Sequence, residues 1–199
     1  MPASPRGARL KTWIALLRGI NVVGRRKLLM KDLAAIFARG GFSSVRTYIQ
    51  SGNVVFESAG GSAGTLAGKI GELVLKKSGF RPYVIVLSVA GLARAVRGNP
   101  FPQADADHKS LHLFFLSKQP PRPDLGSLER LKAGREAFEL KGAVFYLYTP
   151  DGFPQCALHD KVERFLGVEA TARNWRTARQ LLTMAKTPPP SGKRQQIAV

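Results

Sequence analysis

The order in which strand-like and helix-like patterns alternate along this chain constrains its fold more than any other feature. A continuous apolar run at 12–17 predicts a strand buried on both faces. Apolar residues then recur at helical spacing until Gly40. Two short strands, at 45–50 and 53–57, flank the Ser51-Gly52 pair, which is typical of a tight hairpin turn. The first quarter of the chain therefore predicts the order β-α-β-β.

The same order is completed and then repeated. A helix at 66–77 and a strand at 83–87 close the first copy, and a linking helix follows at 89–98. The second copy comprises a strand at 111–116, a helix at 125–131, a hairpin with strands at 136–140 and 144–148, a helix at 158–166, a short strand at 168–173 and a last helix up to 185. We therefore predict an α+β protein of two tandem ferredoxin-like (βαββαβ) units with antiparallel sheets, plus a C-terminal helix.

These patterns also set the expected domain boundaries. Residues 11–89 form the first ferredoxin-like unit, and residues 90–186 form the second, including the linker helix and the C-terminal helix. Residues 1–10 are rich in Pro, Gly, Ala and Arg without any periodicity, and residues 187–199 begin with a run of three prolines after Thr187. We expect both termini to be disordered tails, the first of them basic, because neither offers apolar surface to bury.

The chain is strongly basic. It has 31 Lys and Arg against 13 Asp and Glu, a formal charge of +18. Only five of the positive charges lie at or next to the tails: Arg6, Arg9, Lys11, Lys193 and Arg194. The remaining 26 basic and 13 acidic residues leave +13 on the body of the protein. Such a field favours anionic partners such as nucleic acid or a phosphorylated small molecule. It is equally consistent with a contribution to solubility alone.

The sequence predicts no cofactor and no metal site. Cys156 is the only cysteine, which excludes an intramolecular disulfide, and the three histidines are scattered without the spacing of zinc ligands. No apolar run has the length needed to cross a bilayer, and the N-terminus lacks the apolar stretch of a signal peptide. We expect a cytoplasmic protein with no membrane partner; the sequence does not indicate its oligomeric state.

One group of polar residues is expected to form a ligand site. In a βαββαβ sheet the third strand lies between the first two, so the end of the first strand lies beside the hairpin between the second and third. The residues brought together in this way are Arg18, Asn21, Gln50, Ser51 and Asn53. Their guanidinium, amide and hydroxyl groups suit a phosphate or a carboxylate. The alternative is structural: turn formation by Ser51 and Asn53, a loop cap by Asn21, and an ion pair between Arg18 and a local acid.

Arg173, Asn174 and Trp175 form a second candidate site. An aromatic ring stacked on Trp175, with Arg173 on a phosphate, would be typical of nucleic-acid or nucleotide binding. The structural interpretation assigns Asn174 to the N-cap of the final helix and Trp175 to the junction between the two units. It is the interpretation that we favour for Asn174 and Trp175.

Several motifs resemble those of a known family. They are Trp13-Ile14-Ala15-Leu16-Leu17-Arg18-Gly19-Ile20-Asn21-Val22, Arg46-Thr47-Tyr48-Ile49-Gln50-Ser51-Gly52-Asn53-Val54-Val55-Phe56, Asn99-Pro100-Phe101 and Thr171-Ala172-Arg173-Asn174-Trp175-Arg176-Thr177. Together they resemble the bacterial family known as domain of unknown function 1697, over about 12–186. The resemblance implies tandem ferredoxin-like units, in agreement with the periodicity. It implies no activity and no catalytic residues.

Three classes of function remain. The sequence best fits a non-catalytic binder of an anionic ligand, either nucleic acid or a nucleotide. The alternatives are an enzyme acting on a phosphorylated or carboxylated metabolite and an interaction scaffold. No general acid–base pair or nucleophile stands out for an enzyme, and the central strands lack the aromatic pattern of open-sheet RNA binders.

Overall fold

A computed structural model describes residues 10–22 and 26–188. The first half of the molecule, residues 11–97, contains β1 (Lys11–Arg18), α1 (Met30–Arg39), β2 (Ser43–Tyr48), β3 (Asn53–Ser58), α2 (Ala63–Ser78), β4 (Tyr83–Ser88) and α3 (Val89–Arg97). After a short 3-10 helix, Pro102–Asp105, the second half, residues 111–186, contains β5 (Leu111–Leu116), α4 (Leu125–Leu131), β6 (Ala137–Lys141), β7 (Val144–Tyr148), α5 (Val162–Leu166), β8 (Ala170–Asn174) and α6 (Trp175–Lys186).

The strands form two four-stranded antiparallel sheets, which confirms the α+β class and the antiparallel pairing. The order in the first sheet is β2-β3-β1-β4, and the order in the second is β6-β7-β5-β8. Equivalent strands of the two halves therefore occupy equivalent positions. The repetition extends beyond the sheets, because α3 follows β4 as α6 follows β8.

The elements stack in five layers. The helices α1 and α2 cover the outer face of the first sheet, where Phe37 and Phe42 pack against Phe56. The helices α4 and α5 cover the outer face of the second sheet in the same way. Between the inner faces of the two sheets lie α3 and α6, buried through Leu92 and Leu181, in a core to which both sheets contribute. This shared core joins the two halves, since burial of large apolar side chains is the main favourable term in folding.

Most predicted elements begin or end within one to three residues of the observed bounds, and two of the differences have a physical explanation. The strand β2 ends at Tyr48 rather than at 50, because Ile49 adopts a left-handed φ of 47° and the Asn53 side chain donates to the Tyr48 carbonyl. The helix α5 begins at Val162 rather than at 158. Leu158 is fully buried but lies outside the helix, so apolar spacing alone extended the predicted helix too far.

The predicted tails lie mostly outside the described residues, which exclude 1–9 and 189–199. Among the described helices, none is both long and apolar enough to span a membrane.

Candidate functional site

The end of β1 and the β2–β3 hairpin meet, as the topology argument predicts. The Asn21 side chain donates to the Gln50 carbonyl at 2.8 Å and to the Leu28 carbonyl at 2.9 Å, while its oxygen accepts from the Leu28 amide. Asn21 has a φ of 55°, in the left-handed region that asparagine tolerates. Its amide is thus fully engaged in closing the loop after β1, which is the structural role rather than direct ligand contact.

Asn53 and Ser51 organise the hairpin turn. Asn53 is fully buried and donates to the Ser51 hydroxyl at 2.9 Å. The intervening Gly52 has a φ of 72°, and a Cβ there would lie 2.8 Å from Leu17 Cβ and from Ile20 Cδ1. The turn therefore packs directly on the end of β1, so these polar groups hold the backbone in place.

Arg173, on β8 of the second half, reaches across to this turn. Its Nε donates to Asn53 Oδ1 at 2.5 Å, and its Nη2 donates to the carbonyls of Leu17 and Ser51 at 2.9 and 3.1 Å. Its Nη1 donates to Thr171 Oγ1 and to the carbonyl of Ala172. All five N–H donors of the guanidinium thus have protein acceptors.

No carboxylate is among the partners of Arg173. The side chain is buried, and desolvation lowers the pKa of its guanidinium to about 10. The group still carries its charge at neutral pH. Arg173 therefore places an unneutralised positive charge between the two halves, while its donors are occupied by neutral acceptors.

Arg18 also connects the two halves. Its two terminal nitrogens each donate to one carboxylate oxygen of Glu163 on α5, both at 2.5 Å. Glu163 also accepts from the Ala170 amide at 2.7 Å. The partner of Arg18 is therefore not a local acid such as Asp32, and the fork already holds one carboxylate in the bidentate geometry that suits anions.

A cleft of about 430 Å³ opens between the halves at these residues. Arg18, Ser51, Glu163 and Arg173 contribute its polar lining. Its apolar and aromatic lining includes Phe114, Phe153 and His159, all from the second half. Of the five primary candidates, Arg18 and Ser51 line the cleft. Asn21, Gln50 and Asn53 do not line it, and they bind neighbouring groups through the hydrogen bonds described above, Gln50 by its carbonyl. We call this space the inter-half cleft.

Asn174 and Trp175 do not form part of the inter-half cleft. Asn174 Oδ1 accepts from the Thr177 amide at 2.9 Å as the N-cap of α6. Trp175 is 4% exposed, packs in the core between the sheets, and donates to Asp105 at 2.8 Å. No face of its ring is open to a stacked base, so only Arg173 of the second candidate group lines the inter-half cleft.

Nothing in the described residues suggests a metal centre or an activated nucleophile. They contain no group of three or more His, Cys, Asp and Glu that could hold a metal ion. Burial raises the pKa of the Cys156 thiol, which favours the unreactive protonated form. Burial, with a smaller effect of His159, lowers the pKa of His112 to about 4, and its ring stacks on Phe153 with centroids 3.7 Å apart.

Sequence reasoning missed the contributions of Glu163, Phe153 and His159. All three belong to the second half, and Glu163 lies 145 residues from Arg18. Topology within one unit brings its own strand ends together, but it does not say how two units face each other.

Comparison with known proteins identifies the family. A solved structure of a conserved bacterial protein from Streptococcus pneumoniae is similar in fold, with a TM-score of 0.67 and 24% sequence identity, over 89% of this chain and 100% of that chain. No curated protein matches. Residues 10–146 match the model of a family described as protein of unknown function, DUF1697. Since this match covers more than half of its length, the chain belongs to the DUF1697 family.

Proposed function

We propose that the protein is a non-catalytic binder of a nucleotide-like anion, which occupies the inter-half cleft. The observation that carries this proposal is the pairing of an anion-binding fork, Arg18, with an aromatic wall in a cleft of about 430 Å³. That volume is within the range of small-molecule sites, and a few convergent polar groups in an apolar lining are typical of them.

The ion pair with Glu163 indicates which kind of charged group a ligand would present to Arg18. Its carboxylate is the anion that Arg18 holds in the structure, and a phosphate or carboxylate presents the same two-oxygen edge. The Arg18 side chain is 45% exposed, so exchanging Glu163 for a ligand costs little, on the order of 0–1 kcal/mol for an exposed pair. Glu163 would retain the Ala170 amide as a partner after the exchange.

Arg173 favours an anion in the cleft without contacting it. Its five donors are used, so its contribution is the field of a buried charge that no carboxylate neutralises. Electrostatic attraction of this kind is stronger at a partly desolvated site than in open water. Arg173 would thus act on affinity through charge, whereas Arg18 would act through hydrogen bonds.

The aromatic wall favours a ligand with a planar ring. Phe153 stacks on His112 with one face, and Phe153 and His159 both line the inter-half cleft. Base–aromatic stacking is worth about 1–3 kcal/mol, which is enough to distinguish a nucleotide from inorganic phosphate.

Strained backbone near the cleft supports a functional role. Asn21 and Ile49 both adopt left-handed φ angles, 55° and 47°, and the second is exceptional for a β-branched residue. At Ile49 this conformation costs about 1–3 kcal/mol, whereas asparagine tolerates it, and strained residues cluster at ligand sites. Both flank the junction that positions Arg18 and Ser51.

We also infer that each half is a ferredoxin-like unit, supported by the β-α-β-β-α-β order and by strand orders with the first and third strands at the centre. A cytoplasmic setting is part of the proposal, and it is supported by the free, buried Cys156 thiol, which suits a reducing compartment.

The test is titration of AMP, ATP and inorganic phosphate by calorimetry at two salt concentrations, with wild type, Arg18→Ala and Lys118→Ala. Lys118 is an exposed cation with no hydrogen bond or ion pair among the described residues. Arg18→Ala should weaken nucleotide binding by about 1–3 kcal/mol, the value of a charge-assisted hydrogen bond, while Lys118→Ala changes only the salt dependence.

Unfolding in urea must accompany the titration, because Arg18 also joins the halves. Equal weakening by the two variants would show that the attraction is diffuse and not located in the cleft. Absence of nucleotide binding by the wild type at physiological salt would contradict the proposed function outright.

A further inference from the structure

The two halves repeat one topology but differ greatly in the charge of their outer helical layers. In the first half, the segments that carry α1 and α2, residues 26–42 and 59–82, contain eight Lys and Arg and two acids, a formal charge of +6. The corresponding segments with α4 and α5, residues 117–136 and 149–169, contain seven Lys and Arg and seven acids, a formal charge of zero. The outer layer of the second half therefore provides a comparison within the same molecule, because it has the same topology as that of the first half but no net charge.

The cations of the first layer are available to a partner. All eight are exposed: Arg26, Lys27, Lys31, Arg39, Lys69, Lys76, Lys77 and Arg81. Within the part of the chain that the structure describes, Arg81 alone among them forms an ion pair, with Glu72 at 3.2 Å. We call this surface the basic outer face.

Over residues 10–22 and 26–188, three of the seven corresponding cations of the second half form ion pairs, against one of eight in the first. Lys132 pairs with Glu129, Arg135 with Asp151, and Lys161 with Asp160 at 2.7 Å. Selection for solubility alone would act on both outer layers alike, and it would not give seven acids to one layer and two to the other. The difference in charge between the two outer layers indicates that the positive charge of the first layer has a function.

Packing brings the cations of the basic outer face together. The Arg26 guanidinium lies 5.9 Å from the centre of the Phe80 ring, which places the segment before α1 beside the C-terminus of α2. Lys76 and Lys77 end that helix. Lys69, seven residues before Lys76, is about 10 Å from it along the helix axis, at a rise of about 1.5 Å per residue. The positive charge thus extends along α2.

The chemistry of this face matches a phosphate backbone rather than bases. Among the described residues, no exposed large hydrophobic side chain is aromatic, so a stacking platform for single strands is missing there. Rows of Lys and Arg without base-reading groups contact phosphates and bind without regard to sequence. We propose that the basic outer face binds the phosphate backbone of a nucleic-acid duplex, an interaction separate from the inter-half cleft.

The test uses the full chain and a fluorescent DNA duplex of about 20 base pairs, with anisotropy measured between 50 and 200 mM salt. One variant is Lys69→Gln/Lys76→Gln/Lys77→Gln. Its matched control is Lys118→Gln/Arg122→Gln/Arg164→Gln, which removes three exposed cations, none of them in an ion pair among the described residues, from the outer layer of the second half. Lys69 and Arg164 each lie over a phenylalanine ring, so the loss of one cation–π interaction is also matched.

The slope of log Kobs against log salt should become shallower by about 2–3 in the first variant, since each phosphate that the protein neutralises contributes about 0.9 to that slope. In the control the slope should stay near the wild-type value.

Equal changes in both variants would overturn the proposal, as would absence of duplex binding by the wild type at 50 mM salt. Binding to phosphatidylserine vesicles but not to the duplex would also overturn it. Nucleotide binding in the cleft responds to Arg18→Ala and not to the Lys69 variant, so either proposal can fail alone.

Discussion

Replacing Arg173 by methionine tests whether this buried cation joins the two halves. Methionine keeps much of the apolar length of the side chain but removes all five donors, including those to Asn53, Leu17 and Ser51 of the first half. The acceptors at Asn53 and Leu17 are buried and would lose a partner. Each hydrogen bond to a charged group is worth about 1.5–3 kcal/mol, and an orphaned buried acceptor costs about 1–3 kcal/mol.

The substitution also removes an unfavourable contribution to the free energy of folding, the desolvation of the guanidinium. Burial lowers the pKa of Arg173 from 12.5 to about 10, which corresponds to about 3 kcal/mol of desolvation of the charged form. Methionine does not carry that penalty. The gain offsets part of the lost hydrogen bonds, and bonds that share one network do not add as separate contributions. We therefore expect a net loss of about 3–5 kcal/mol, the value for removing one partner of a buried charged pair. This is a large part of the roughly 5–15 kcal/mol that is typical of a folded protein.

The assay is equilibrium unfolding in urea, followed by both tryptophan fluorescence and far-UV circular dichroism. Arg173→Lys keeps the charge with three donors instead of a planar fork, so its loss should be intermediate. The control is Arg176→Met, at an exposed position in the first turn of α6, which should change the free energy of unfolding by less than about 0.5 kcal/mol. A loss below about 1 kcal/mol for Arg173→Met would refute the reasoning, because it would mean that the acceptors find other partners at little cost.

Two further predictions concern the second half. Asn174→Ala should lower the free energy of unfolding by about 1 kcal/mol through loss of the bond to the Thr177 amide, and Asn174→Ser should restore most of it; urea titration measures both, and equal stability of all three proteins would contradict the cap. His112 has a pKa of about 4 in the folded protein against an ordinary value of 6.5, so the unfolded chain takes up the proton first as the pH falls. Stability should therefore drop as the pH falls from 6.5 to 4, by up to about 3 kcal/mol, and His112→Gln should flatten that slope; an unchanged slope would assign the acid sensitivity to other groups.

Topology within one unit was predictable because the signals are local. Gly52 marks the hairpin, and continuous apolar character marks β1 as a central strand, which suffices to bring Asn21 and Gln50 together. The chemical role of these side chains was harder to predict from the sequence. Whether an amide faces solvent or closes its own loop depends on backbone angles such as the φ of 55° at Asn21, and a single sequence does not specify them.

Contacts between the halves could not be predicted. The Arg18–Glu163 and Arg173–Asn53 pairs span 145 and 120 residues, and they depend on how two sheets pack around α3 and α6. Apolar periodicity reports that a strand is buried on both faces but not which element covers each face. The sequence accordingly placed Arg173 in a separate candidate group, although its guanidinium completes the first one.

The two proposed surfaces use different residues, since none of the eight cations of the basic outer face is among the described residues that line the inter-half cleft. The helices α1 and α2 pack on the outer face of the first sheet, whereas the inter-half cleft lies at the end of β1, where the second half approaches. Arg18 is exposed and already donates hydrogen bonds to a carboxylate of the other half, so a ligand that replaced Glu163 there would itself lie between the halves. Arg173 is fixed by five acceptors and cannot follow such an exchange. A ligand in the cleft would therefore change the connection through Arg18 while Arg173 holds the halves together, and Lys69, Lys76 and Lys77 on α2, which do not line the cleft, would keep their charge.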